Sequence, residues 1–107
     1  MKNSIITIVA AATFGFAVQA NAAVDAAQAQ ELAKSKNCLT CHMVDKKLVG
    51  PGFKDIAKKY KGDGGAVENL SKKVINGGSG VWGAIPMPPN PVKKDEAKLL
   101  VEWILSL

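Results

Sequence analysis

Three side chains in this chain are spaced for covalent and coordination chemistry: Cys38, Cys41 and His42, in the stretch Cys38-Leu39-Thr40-Cys41-His42. The chain has no other cysteine and no other histidine. Two thiols three positions apart lie on one short helical turn. From there both sulfurs reach the two vinyl groups of a haem and add across them as thioethers. The next residue, His42, then sits under the iron, where its imidazole nitrogen can ligate it. C-x-x-C-H is the attachment pattern for c-type haem.

Two other chemistries compete for the same residues. A zinc ion needs about four ligands; two Cys and one His fall short, and no acidic cluster has ligand spacing. A periplasmic thiol–disulfide oxidoreductase could use Cys38 and Cys41. That class places C-x-x-C near a βαβ pattern, and no run of strands is legible here. Free thiol after reduction would favour the enzyme, and blocked sulfurs would exclude it.

A haem iron held by His42 has one open face. Met1 belongs to the leader described below. Met43 is tied to the His42 side by the thioethers. Met87 is left, within Ile85-Pro86-Met87-Pro88-Pro89-Asn90. A lone methionine is more often packing than ligand, but this one stands in an unusual loop. Prolines have a fixed φ and no N–H, so they stiffen the loop without a hydrogen-bond ladder. His/Met ligation fills both axial sites. Such an iron exchanges one electron with little rearrangement and has no room for oxygen or substrate. The reading is therefore an electron carrier, not an enzyme, an oxygen binder or a gas sensor.

The elements that must position these groups read as helices. Asp25 to Asn37 is rich in Ala, Gln, Glu and Lys, all good helix formers, with Leu32 its one large apolar residue. The haem motif continues as a further helical turn. Met43 to Gly52 is a loop ending in the turn signal Val49-Gly50-Pro51-Gly52. Phe53, Ile56, Ala57 and Tyr60 follow helical spacing, with Lys54, Lys58, Lys59 and Lys61 largely on the other faces. Ala66 to Asn76 is the next helix, with Val67, Leu70 and Val74 on one stripe and Gly77 as its stop. Gly77 to Pro91 has no periodicity and holds four of the five prolines. A loop that long in a small domain is usually functional. Lys94 to Ser106 closes the chain as a helix with an Ala97, Leu100, Val101 and Ile104 stripe and Trp103 beside it. Asp95 and Glu96 suit its positive end.

The 107 residues suffice for one domain. Met1-Lys2-Asn3 gives a short positive start, and Ile5 to Val18 is an apolar run of secretory length. Ala20-Asn21-Ala22 offers the cleavage site. Residues 1–22 are therefore expected to be a cleaved signal peptide, with a cut after Ala23 as the near alternative. The apolar run is shorter than the roughly 20 residues of a membrane span, so no stable membrane insertion is expected after cleavage. Residues 23–107 then form the domain, with 13 lysines, no arginine and 9 acidic residues. This excess suits steering toward acidic protein surfaces. Nucleic acid is a poor partner, because no long basic run is interleaved with aromatics. So short a chain makes a marginal core, which a buried haem would complete.

Taken together, these segments resemble a small bacterial class I cytochrome c of the c-551/c-552 kind. The likeness is carried by Cys38 to His42, by Leu48-Val49-Gly50-Pro51-Gly52-Phe53-Lys54-Asp55-Ile56-Ala57, by Val81-Trp82-Gly83-Ala84-Ile85-Pro86-Met87-Pro88-Pro89-Asn90, and by the ending Asp95-Glu96-Ala97 through Trp103-Ile104-Leu105-Ser106. It implies an all-α fold of four to five short helices around one covalently attached haem c. It implies thioethers at Cys38 and Cys41, His42 as proximal ligand and Met87 as distal ligand. The Pro51 carbonyl would accept the other ring N–H of His42, the Trp82 indole would bond a haem propionate, and Asn90 would sit near the Met87 sulfur. The function implied is a soluble, monomeric periplasmic carrier between respiratory complexes and a terminal reductase or oxidase. A haem subunit fixed within a larger complex is a weaker reading. The chain departs from the pattern at Lys73, where the family often has an arginine at a propionate; lysine lacks the planar fork.

Overall fold

The computed structural model describes residues 10–12 and 24–107. The expected signal peptide and its cleavage site at Ala22 lie, but for residues 10–12, outside the described residues.

Among the described residues four α-helices carry the fold: α1 (Ala26–Ser35), α2 (Phe53–Lys59), α3 (Ala66–Asn76) and α4 (Lys94–Leu105). A 3-10 turn, Cys38–Thr40, follows α1. Among the described residues there is no strand, only two isolated antiparallel bridges, His42 with Lys47 and Gly78 with Met87. The all-α expectation therefore holds.

Helix ends follow local chemistry. The Asp25 carboxylate accepts the Gln28 N–H at 3.0 Å, so Asp25 caps α1 rather than opening it. At the other end Asn37 adopts left-handed φ 61°, which an Asn tolerates better than most side chains. The helix expected to reach Asn37 thus ends at Ser35, and the haem motif follows as the further, 3-10 turn. At the start of α4 the Lys93 N–H donates to the Glu96 carboxylate at 2.9 Å. That satisfies one of the orphan donors of the first turn.

Helix α4 is the hub and packs on α1, α2 and α3. Its expected stripe is buried throughout: Ala97, Leu100, Val101 and Ile104, with Trp103. Helix α1 meets it through Ala29 and Ala33, both fully buried, while Leu32 is only partly covered. Alanine at i and i+4 lets two helix backbones approach closely, and that close packing decides the α1 face. In α3 the expected stripe of Val67, Leu70 and Val74 is only partly buried. Its Leu70 and Val74 face a cavity instead.

Candidate haem site

That cavity, about 290 Å³, brings the sequence candidates together. Cys38, Cys41, His42, Pro51, Trp82 and Met87 all line it. Asn90 does not. The remaining wall is largely apolar and comes from α2, α3, α4 and the 78–88 loop.

The 38–42 segment is wound so that its carbonyl at Cys38 accepts two N–H groups, from Cys41 at 3.2 Å and His42 at 3.0 Å. The loop after it is drawn back underneath. Gly50 N–H donates to Cys41 O at 2.7 Å, and Phe53 N–H donates to Met43 O at 2.8 Å. These bonds bring Gly50, Pro51 and Phe53 to the histidine.

His42 is held on three sides. Its Nδ1 lies 2.7 Å from the Pro51 carbonyl oxygen. A carbonyl only accepts, so Nδ1 carries the proton and Nε2 keeps its lone pair for a metal. One ring face stacks on Phe53 at 5.2 Å and 22°, and Phe53 in turn meets Trp103 edge-on at 5.5 Å. Gly50 closes the remaining side: a Cβ there would stand 2.6 Å from Cε1 and 2.9 Å from Nδ1 of the ring. The expected Pro51 contact is present. The parts played by Gly50 and Phe53 were missed. Gly50 reads from sequence only as a turn residue, and Phe53 only as one member of a helical stripe.

Met87 lines the same cavity from the long loop. The loop is not free of ladder bonds, contrary to expectation. Gly78 N–H donates to Met87 O at 3.0 Å, and Met87 N–H donates to Gly78 O at 2.7 Å. Gly77 makes this possible. Its φ of 75° ends α3, and a Cβ there would stand 2.5 Å from Met87 O. The Asn90 side-chain amide donates to Val74 O at 3.0 Å and to Pro88 O at 3.2 Å. Asn90 therefore staples the loop to α3.

The charged groups at the cavity are lysines. Lys47 and Lys73 line it, and no carboxylate does among the described residues. The Lys73 stem lies across Gly78, where a Cβ would meet its Cε at 3.3 Å. Burial pushes the Cys38 thiol above the ordinary thiol range; a backbone hydrogen bond offsets part of this, and Cys41 adds a smaller push upward. A raised thiol is a poor nucleophile at neutral pH, which opposes the thiol–disulfide reading.

The residues fit a c-type haem. Two thiols, an imidazole with Nε2 available and a thioether share one apolar cavity with cationic groups at its wall, suited to carboxylates. Helical packing and this donor set define a small c-type haem protein. The Cytochrome c family profile matches residues 26–107. Cytochrome c-551 of Ectopseudomonas mendocina is 56% identical over 81 residues, which cover 76% of this chain and 99% of that protein. Cytochrome c-552 of Hydrogenobacter thermophilus is 53% identical over 78 residues, covering 73% and 80% respectively. The crystal structure of wild-type Nitrosomonas europaea cytochrome c552 is similar at a TM-score of 0.71 and 52% identity, covering 73% of this chain and 98% of that one. The chain belongs to the cytochrome c family. As such it carries one covalently attached c-type haem and is an electron carrier rather than an enzyme.

Proposed function

We propose that this protein is a periplasmic one-electron carrier with a six-coordinate His/Met haem. Cys38 and Cys41 would hold the haem through thioether bonds, and His42 Nε2 and the Met87 sulfur would supply the ligands of its iron. The observation that carries this reading is the shared cavity, with His42 Nδ1 already committed to the Pro51 carbonyl. When bound, the haem would supply an iron able to exchange one electron between its ferrous and ferric states.

The chain's own residues make that exchange cheap. Pro51, Phe53 and Gly50 fix the imidazole plane, so the ligand need not reorient between redox states. Gly78 and Asn90 fix the backbone on either side of the Met87 sulfur. The apolar walls keep water from the metal. Trp82 is the donor proposed for a propionate, and Lys73 lines the same cavity with its charge. Asn90 sits near the Met87 loop's exit and restrains it through Val74 and Pro88.

Among the described residues no helix is long and apolar enough to cross a membrane. Residues 1–22 are proposed as the export leader and residues 23–107 as the exported monomer. Lys47 and Lys73 at the cavity, with exposed Val49, Val81 and Ile85 around it, suit a redox partner that presents an apolar spot ringed by acidic residues.

Intact mass under denaturing conditions tests the core of this reading. A mass of residues 23–107 plus one haem supports leader cleavage and covalent attachment together. A bare polypeptide, or one short by two hydrogens, overturns it. The ligand assignment is tested by Met87→Ala. The reduced variant should bind carbon monoxide, and its potential should fall by on the order of 0.1 V, within the roughly 0.8 V span that axial ligands control. An unchanged potential without carbon monoxide binding removes Met87 from the iron.

A further inference from the structure

Between the paired residues Gly78 and Met87 lies a lobe of eight consecutive exposed residues, 79–86. Its one backbone hydrogen bond among the described residues is internal, from Gly80 N–H to Gly83 O at 2.8 Å. The lobe nevertheless supplies cavity wall, including Trp82. Lys59, the last residue of α2, reaches it: Nζ stands 5.5 Å from the Trp82 ring centroid and 5.9 Å from that of Tyr60. Both distances fall inside the range of a cation–π contact. The three ion pairs among the described residues, Lys54–Asp45, Lys72–Glu68 and Lys98–Glu102, leave Lys59 out. Among the described residues its ammonium stands over these two rings and pairs with no carboxylate.

We infer that Lys59 is a positioning residue: its ammonium, seated on the Trp82 ring, clamps the 79–86 lobe to α2 and keeps the Trp82 indole at the cavity wall. The geometry divides the loop into two parts. The neck at Gly78 and Met87 is fixed by backbone bonds and serves the methionine. The lobe meets Lys59 of α2 through the Trp82 ring and serves the indole. The consequence for the redox potential rests on the proposed role of Trp82 at a propionate; the clamp itself does not.

The test uses the haem-loaded protein in its reduced state, with hydrogen exchange of the Trp82 indole N–H followed by NMR. Lys59→Gln should speed that exchange by about 2- to 5-fold, the size of an exposed cation–π contact. Lys59→Arg keeps the cation and should restore the original rate. The Trp103 indole, buried in the core, should not change in either variant. An unchanged Trp82 rate in Lys59→Gln, or no rescue by arginine, overturns the clamp. The potential separates position from charge. Lys59→Gln should lower it in the natural chain and lower it less in a Trp82→Leu background, a coupling that neighbours show and independent sites do not. An equal drop in both backgrounds means that Lys59 acts only as a distant charge, and the inference fails. Trp82→Phe keeps a ring and removes the N–H. An unchanged potential there sinks the propionate role alone and leaves the indole-exchange result for Lys59 standing.

Discussion

The two sides of the cavity are built by different means. On the His42 side, the imidazole is held by the Pro51 carbonyl at 2.7 Å and by side-chain packing on the core. Phe53 is 2% exposed and Trp103 3% exposed, and the imidazole is the first ring of a stack that runs into them. On the Met87 side, the residue is held by its paired backbone hydrogen bonds to Gly78, just past α3, and by the Asn90 amide on Val74. Packing of that kind fails only when the core fails. Hydrogen bonds at a loop neck can open locally while the helices stay folded. The His42 side should therefore share the global stability of the domain, and the Met87 side should open at lower cost.

The comparison can be broken at four points. Phe53→Ala removes the ring between His42 and Trp103. It should cost about 3–5 kcal/mol, as large-to-small core changes do, read by denaturant unfolding of the haem-loaded protein. A loss under about 1 kcal/mol, the level of a surface change, would mean that the stack contributes little. Gly50→Ala places a methyl against the imidazole. Overpacking of this kind should cost about 1–3 kcal/mol and should alter the ferric electron-paramagnetic-resonance g-values, because the ring must tilt. Unaltered g-values would show that the loop, rather than the ring, gives way.

Asn90→Ala strikes the other side. Loss of its bonds to Val74 and Pro88 should cost about 1–2 kcal/mol. The more telling readout is imidazole binding to the ferric protein, which should speed up to about tenfold as the Met87 loop opens more easily. If Gly50→Ala speeds imidazole entry more than Asn90→Ala does, the assignment of local opening to the Met87 side is wrong. The smallest effect is expected from the rim. Lys47→Glu and Lys73→Glu should each slow electron transfer to an acidic partner several-fold at low salt. The difference should fade as the Debye length shrinks below about 8 Å. Rates indifferent to both salt and charge reversal would remove steering from the account.

Much of the fold was legible because it is local. The α4 stripe of Ala97, Leu100, Val101 and Ile104 could be read by period alone, since a helix that packs on three others must bury one continuous face. The α3 boundaries at Ala66 and Asn76 agree with the sequence reading, because Gly77 with its φ of 75° forces the stop. Helix α1 was less legible. Leu32 drew attention by size, yet Ala29 and Ala33 occupy the contact. Close approach of two backbones favours small residues, and composition cannot tell a packed alanine from an exposed one.

The candidate site divides in the same way. Cys38, Cys41 and His42 are set by three positions in one stretch, and their chemistry needs nothing from afar. Met87 could be named because few methionines compete and its prolines mark the loop. Sequence alone thus determined the reactive groups, their order and the helices that carry them. Only the tertiary structure decided what constrains them. Gly50 beside the imidazole, Phe53 stacked on it, Gly78 paired with Met87, Asn90 on Val74 and Lys59 over Trp82 are contacts between residues 8 to 23 positions apart or from different elements. Such contacts depend on where the helices converge. That convergence follows from burying the α4 face and closing the cavity, a property of the whole chain that no short stretch of sequence encodes.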